Sequence, residues 1–239
     1  MRGAYVTLLS STNYLKAVII LSLSLKKVNS NFPLLVAITE DVVSDDIIQI
    51  LSKLGCEIKV IERLEYSSIT KERWKNNTVL NTASKLQIFS FYEWDKLVYL
   101  DCDSIILQNI DDLFTYLDGS MLYDANSNDG CTSMFVLEPK RHNETEFLFT
   151  IMQNHDCFDG DLLGKMWFHI SSSKKHQIPA NYFSYYLETL NYSLLDLQKK
   201  DIKAVHFCNH PKPWLEPNHK YYNDCYSIAK LYKDYLKQI

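Results

Sequence analysis

The residues best suited to chemistry fall in two short stretches, far apart in the chain. In Tyr99-Leu100-Asp101-Cys102-Asp103, an apolar run ends in two carboxylates at positions i and i+2. On an extended strand such a pair points to one side and Cys102 to the other. Side-by-side carboxylate oxygens suit a hard divalent cation, and Mg²⁺ or Mn²⁺ typically joins one or two carboxylates to a substrate diphosphate. Acidic pairs at strand ends are also common in loops and helix caps, so the pair alone does not establish a metal site. The second stretch, His206-Phe207-Cys208-Asn209-His210-Pro211-Lys212-Pro213-Trp214, follows the apolar Ala204-Val205. An imidazole at a strand end can complete a shell begun by carboxylates and favours Mn²⁺ over Mg²⁺. Lys212, held between two prolines, is a fixed point charge suited to phosphate. Asp111-Asp112 is a weaker candidate, because it begins a predicted helix, where acids suit the helix dipole.

The patterning around these stretches predicts the scaffold that must hold them. Tyr5–Leu9 reads as a first strand, and Ser11 or Thr12 caps a helix carrying Leu15, Val18, Ile19, Ser22 and Leu25 at helical spacing, ending at Lys26-Lys27. Pro33–Thr39 is a continuous apolar run, as expected for a strand buried on both faces. Ser44 caps a second helix with Ile47, Ile48, Ile50, Leu51 and Leu54, and Gly55 stops it. Glu57–Ile61 and Lys96–Leu100 read as strands, and Ser84–Trp94 as a helix carrying Leu86, Phe89 and Phe91. Later strands are shorter: Met121–Tyr123, Ser133–Leu137 and Ala204–Cys208. Ser127–Gly130 and Ser171–Lys175 read as loops, and Tyr221–Ile239 as a helical tail. Strands alternating with helices predict an α/β fold with a mostly parallel central sheet flanked by helices. Ligands in such folds bind at the carboxyl ends of the strands, where Asp101 and Asp103 fall.

Composition narrows the function classes. The 239 residues are 46% hydrophobic and 23% charged, which excludes a disordered chain, a collagen-like chain and a disulfide mini-scaffold. A net charge of −4 argues against a nucleic-acid partner. The six cysteines form no C-x-x-C pair, which argues against structural zinc and a redox motif. Met1-Arg2-Gly3 runs straight into the first predicted strand, and the apolar Ala17–Leu25 is too short to span a membrane. These features predict a reduced, cytoplasmic protein without a membrane partner. A metal-dependent phosphohydrolase would need a nucleophilic Asp after the first strand, and Leu8-Leu9-Ser10-Ser11 supplies no acid.

Several further segments recur in one order. They are Val6-Thr7-Leu8 with Tyr14, Lys85-Leu86, Leu100-Asp101-Cys102-Asp103-Ser104 and Asn109-Ile110-Asp111-Asp112-Leu113-Phe114. Phe135-Val136-Leu137-Glu138-Pro139, Phe158-Asp159-Gly160-Asp161 and Ile178-Pro179 with Tyr182 follow, before His206-Phe207 and Lys212-Pro213-Trp214. In this order and spacing, from about Ala4 to Trp214, the chain resembles the glycogenin branch of glycosyltransferase family 8, retaining enzymes with a GT-A fold.

The resemblance implies a GT-A, Rossmann-like nucleotide-diphospho-sugar transferase domain over residues 1–220, followed by a helical tail over 221–239. Residues 1–105 would be its nucleotide-binding half and 106–220 its acceptor and metal half. It implies transfer of a hexose from a UDP-sugar, with UDP-glucose or UDP-galactose favoured, to a hydroxyl of a glycan, polyol or protein side chain. Asp101, Asp103 and His206 match the family's Mn²⁺ ligands, with Mg²⁺ as the alternative ion. Leu8, Ser10, Ser11 and Tyr14 match the segment that holds uracil and ribose, Tyr14 stacking on the base and Asp101-Cys102 beside the ribose. Lys85 matches a lysine near the phosphates and sugar, Lys212 and Asn209 match diphosphate contacts, and Arg73 falls where some members place a basic donor contact. Asp161 is the matching carboxylate for a nucleophile or sugar-positioning role, with Lys85 as its catalytic companion. Related folds often form homodimers, and nothing in the sequence marks an interface. Two departures concern sugar handling. Cys131-Thr132-Ser133 stands where the family usually has Asn-(Ser/Ala)-Gly, and Leu162 replaces a Gln after Asp161. They favour an alternative, a non-catalytic member that binds UDP and metal.

Overall fold

The computed structural model describes residues 1–75, 78–124, 129–142, 145–157, 176–185, 192–208, 212–218 and 228–238. Its strands are β1 (Gly3–Leu9), β2 (Leu34–Thr39), β3 (Glu57–Ile61), β4 (Lys96–Leu100), β5 (Ser104–Ile106), β6 (Met121–Asp124), β7 (Asp129–Leu137), β8 (Gln177–Ile178), β9 (Ser184–Tyr185) and β10 (Ala204–His206). Among the described residues, seven strands form the main sheet in the order β3-β2-β1-β4-β7-β6-β8, and β5-β10-β9 form a smaller one. The β3-β2-β1-β4 portion is parallel throughout, and β7 runs antiparallel to both β4 and β6. The expected mostly parallel sheet is therefore present.

Why the first strands read as unbroken apolar runs is clear from their two faces. Tyr5, Leu9, Val36, Ile38, Val98 and Leu100 join one buried cluster, while Ala4, Val6, Leu8, Leu35, Ala37, Leu97 and Tyr99 join another. Both faces are covered, so alternation disappears. Helices α1 (Leu15–Lys27) and α2 (Asp45–Lys53) cover the first face, burying Val18, Ile19, Leu25, Ile47 and Leu51. A tight 3-10 segment over Thr78–Ser90 and helix α4 (Thr145–Asn154) cover the second, while the short α3 (Ser68–Arg73) follows β3. Two further helices are α5 (Leu194–Lys199) and α6 (Ile228–Leu236); the latter buries Tyr232 and Tyr235 with Ala17 and Ile20 of α1.

Several boundaries differ from the expectation. Ser11 caps a short 3-10 turn over Thr12–Tyr14, and α1 starts only at Leu15. The expected α-helix over Ser84–Trp94 is the 3-10 segment Thr78–Ser90 instead. Ala83, Ser84, Lys85, Leu86, Ile88 and Phe89 are all buried there, so the segment presents no single apolar stripe by which its winding could be read. β7 starts at Asp129, inside the expected loop, and β10 ends at His206 rather than Cys208. The Ser171–Lys175 loop and the first part of the expected tail, Tyr221–Ser227, lie outside the described residues. Among the described residues, no helix is long and apolar enough to cross a membrane.

Two polar ties fix elements that the site needs. Ser24, buried within α1, donates to the Leu21 carbonyl at 2.8 Å and accepts the Ile106 amide at 3.1 Å, fastening β5 to the helix. Asp111 accepts the Tyr5 hydroxyl at 2.9 Å, the Ser30 hydroxyl at 2.8 Å and the Asn31 amide at 2.8 Å. The weaker acidic candidate is thus a structural hub between β1, the α1–β2 connection and the segment after β5. Burial pushes the Asp111 carboxyl up, but its amide and hydroxyl donors outweigh that and hold it below its ordinary value. Beside it, Phe32 and Phe114 stack at 3.6 Å over Gly3, where a Cβ would lie 3.0 Å from the Phe114 ring.

Asp111→Ala leaves the fully buried Tyr5 without its acceptor and is expected to cost on the order of 2 kcal/mol in urea unfolding at pH 7. A carboxyl with a depressed folded pKa stabilises above its unfolded value, about pH 4, and loses that contribution as pH falls through the folded one. The gap between the two proteins should therefore shrink below about pH 4; a gap that widens there would refute this account.

Candidate active site

The strand order places a crevice. From β1 the chain steps to β2 on one side and later returns through β4 on the other, so the switch point of the parallel sheet lies between β1 and β4. Ligands of open α/β sheets settle there, outside the carboxyl ends. Ser10 and Ser11 leave β1 at that edge, and Asp101 leaves β4 beside them. Asp101 and Asp103 do not lie on a strand, as the alternation argument supposed. They occupy the turn between β4 and β5, which begins with the Asp101 amide bound to the Ser133 carbonyl at 2.9 Å.

The small sheet then delivers the imidazole. β10 pairs antiparallel with β5, with His206 opposite Ser104, and the Phe207 amide closes on the Asp103 carbonyl at 2.8 Å. This register sets His206 Nε2 3.0 Å from Asp103 Oδ1 and 3.7 Å from Asp101 Oδ2. Ligand atoms of Asp101, Asp103 and His206 all lie within 4.8 Å of one another. Two carboxylates and an imidazole are donors for a hard or intermediate divalent cation, so the set fits one.

Two lysines complete the electrostatics. Lys212 Nζ contacts Asp103 Oδ2 at 2.8 Å and the Phe207 carbonyl at 2.6 Å. Lys85 Nζ lies 3.2 Å from Asp101 Oδ1, which also accepts the Tyr99 hydroxyl at 2.9 Å. Asp103, His206, Lys85 and Lys212 are buried, whereas the Asp101 side chain keeps 23% of its surface open. Burial would raise the Asp103 carboxyl, but His206 and Lys212 overcome this and hold it well below the usual carboxylate range. Burial likewise opposes the Lys212 charge, and Asp103 more than offsets it. Burial, with Asp103 and Asp101 alongside, pushes the Cys102 thiol well up, so it is a neutral half-buried side chain between the carboxylates.

The loop after β10 is pinned by aromatic packing. Trp214 donates its indole N–H to the Asn13 carbonyl at 2.7 Å, meets the Tyr14 ring at 5.3 Å and stacks on Tyr232 of α6 at 6.0 Å. Lys212 Nζ lies 5.9 Å from both the Tyr14 and Trp214 rings. Of the residues singled out from sequence, Lys85, Asp101, Asp103, His206 and Lys212 converge. Tyr14 borders them through Lys212, and Leu8, Ser10 and Ser11 lie along the β1 end. Arg73 does not join the cluster in its described contacts: it pairs with Asp156 at 2.8 Å and is 63% exposed. Asp161 and Asn209 lie outside the described residues. The sequence reading missed Tyr99, although its position two residues before Asp101 was a usable signal for a shared side.

The sequence model of the family described as Glycosyl transferase family 8 matches residues 5–147. The chain belongs to glycosyltransferase family 8. Within the family it is glycogenin-like: it is 28% identical to glycogenin-1 of Mus musculus over 88% of this chain and 65% of that protein. It is also 40% identical to galactinol synthase 3 of Arabidopsis thaliana, over 50% of this chain and 35% of that protein. The chain thus spans about a third of the galactinol synthases it matches. Its GT-A fold is shared with the galactosyltransferase LgtC, solved in complex with donor and acceptor sugar analogs, at TM-score 0.65 and 14% identity over 98% of this chain and 96% of that one. It is shared too with the glycosyltransferase GlyE of Streptococcus pneumoniae, at TM-score 0.62 and 16% identity over 97% of this chain and 60% of that one. The residues that converge at the switch point thus belong to a chain of glycosyltransferase family 8.

A cation bound through Asp103 Oδ1, the oxygen facing His206, shares its carboxylate with the Lys212 ammonium on Oδ2, and a charge-assisted bond of this kind is worth about 1.5–3 kcal/mol. Lys212→Met is therefore expected to tighten Mn²⁺ binding about tenfold without nucleotide, read by isothermal titration. Lys212→Arg should stay near wild type. Weaker Mn²⁺ binding by Lys212→Met would show that the lysine does not compete with the cation for that carboxylate.

Proposed function

We propose that the chain is a metal-dependent hexosyltransferase that moves a hexose from a UDP-sugar to a hydroxyl acceptor with retention at the anomeric carbon. The observation that supports this best is the convergence of Asp101, Asp103 and His206 with Lys85 and Lys212 at the switch point of a family 8 chain. The likeness to galactinol synthases supports UDP-galactose as the donor of this chain, and the glycogenin-like character keeps UDP-glucose beside it. In this reading residues 1–105 supply the nucleotide-binding half and 106–220 the acceptor half, with the metal set drawn from both.

Each residue has a stated task. Leu8, Ser10, Ser11 and Tyr14 hold the nucleoside at the end of β1. Asp101, Asp103 and His206 would hold Mn²⁺, with Mg²⁺ as the alternative, and the ion when bound would supply Lewis-acid stabilisation of the charge left on the diphosphate. Lys212 and Lys85 add fixed positive charge, held in place before the reaction by Asp103, Asp101 and Tyr99. Preplaced charge of this kind needs no reorganisation and is worth roughly 3 kcal/mol or more per group. Asn209 joins Lys212 on the diphosphate, and Asp161 positions the sugar for attack on the same face as the departing UDP. The loop carrying Lys212 and Trp214 keeps water from the donor.

The competing reading, a non-catalytic UDP- and metal-binding member, draws on Cys131-Thr132 in place of the usual sugar-handling residues and on Arg73 being engaged by Asp156. The two are separated by measuring UDP release from a panel of UDP-sugars with Mn²⁺ and with EDTA, followed by intact-protein mass. The enzyme reading expects Mn²⁺-dependent release with one preferred sugar, falling at least a hundredfold in Asp103→Ala. A hexose increment in mass would mark self-modification, and an unchanged mass transfer to an outside acceptor or to water. UDP binding without release from any donor would establish the non-catalytic reading.

A further inference from the structure

Three neighbouring strands end in residues tied together by one guanidinium. Ser10 directly follows β1, Asp41 lies two residues past β2, and Arg63 two residues past β3. Arg63 Nε lies 3.1 and 3.2 Å from the two Asp41 carboxylate oxygens, and Nη2 reaches one of them at 2.7 Å. The same Nη2 also donates to the Ser10 carbonyl. That carbonyl lies just beyond the last β1–β2 register pair, Leu9 with Ile38, so the sheet itself offers it no donor. Ser10 is buried, and the Arg63 side chain keeps only 23% of its surface.

The arginine is itself held from behind. The Leu64 amide donates to Ser84 Oγ at 2.8 Å, Ser84 Oγ donates to the Glu62 carbonyl at 3.1 Å, and Gln87 Nε2 donates to that carbonyl at 2.7 Å. Ser84 is fully buried and directly precedes Lys85. Arg63 thus reaches from a loop tied to the segment that carries Lys85, past the end of β2, to the end of β1. Beyond Ser10, the Ser11 hydroxyl accepts the Asn13 amide, and the Tyr14 amide closes on the Ser11 carbonyl at 3.0 Å. Fixing Ser10 therefore fixes the turn that presents Ser11 and Tyr14.

We infer that Arg63 is a positioning residue for the nucleoside half of the donor site: it holds the Ser10–Tyr14 turn in the geometry that receives uridine. The inference rests on the proposed donor-binding role of that turn. A planar guanidinium serves both Asp41 oxygens and the Ser10 carbonyl in one fixed plane, a geometry that the single ammonium of a lysine does not reproduce. The Asp41 side chain is 50% exposed, and ion pairs at that exposure contribute little to stability. The arrangement is therefore better matched to fixing a shape than to holding the fold together.

The test titrates Mn²⁺ alone, and UDP and UMP in saturating Mn²⁺, into wild type, Arg63→Met, Arg63→Lys and Asp41→Asn. Arg63→Met is expected to weaken UDP and UMP about tenfold, Arg63→Lys to recover only part of that, and Asp41→Asn to lose about threefold. Mn²⁺ alone should bind every variant within twofold of wild type, and melting temperatures should stay within about 3 °C. UDP binding by Arg63→Met equal to wild type would overturn the inference. So would a loss shared equally by Mn²⁺, because that is general damage rather than positioning of the nucleoside turn. Wild type that binds Mn²⁺ but neither nucleotide would overturn the donor reading itself, and the inference with it.

Discussion

The buried carboxylate of Asp103 is the constraint from which the site follows. A charge withdrawn from water is tolerated only when fixed partners replace its hydration. Asp103 finds them in His206 at 3.0 Å and Lys212 at 2.8 Å, both from the far end of the chain. Meeting that requirement needs the β5–β10 pairing, the Phe207 carbonyl that steadies Lys212, and the Trp214 contacts that pin the loop between Tyr14 and α6. Ser24 adds the tie that sets β5 on α1. Taking away any of these would leave a buried ion without its partner, a larger loss than the strength of the single contact suggests.

Asp101 and Asp103 differ although two residues separate them. Asp103 is enclosed by His206 of β10 and Lys212 of the loop after it, while Asp101 faces Lys85 and Tyr99 and keeps 23% of its side-chain surface open. The enclosed carboxylate anchors the constellation, and the open one faces what arrives at the crevice. Asp111 and Asp112 show a third outcome for the same residue type. Asp111 gathers Tyr5, Ser30 and Asn31, and Asp112 accepts the Tyr182 hydroxyl, so both are spent on architecture.

The sequence carried much of this because buried parallel strands and capped helices leave strong local marks. Leu34–Thr39 is apolar because both faces are covered, and Ser44 with Gly55 brackets α2 as its spacing predicts. Asp101, Asp103, His206 and Lys212 were legible as an ordered motif rather than as isolated residue types. What the sequence hid was set by packing between distant segments. Thr78–Ser90 is buried almost throughout, so no periodicity reported its 3-10 winding. Arg63 and Asp41 carry no motif, and only the side-by-side ends of β1, β2 and β3 give them a shared task. The placement of the carboxylates in a turn also escaped the strand argument, because the turn is fixed by the Ser133 and Phe207 backbones and not by local alternation.

The partners of Asp103 have a consequence for the order of assembly. They are 103 and 109 residues further along the chain. At about 5–20 residues per second, a ribosome delivers them roughly 5–20 s after Asp103 itself. During that interval β1, β2, β3 and β4 can already pair, since every strand of that parallel block precedes Asp101. The β5 edge cannot close, because a carboxylate without its partners must stay hydrated. The nascent chain can thus pair its parallel block first and completes its charged centre last. A ribosome that stalls in the interval would present an ordered N-terminal block with an open, acidic edge.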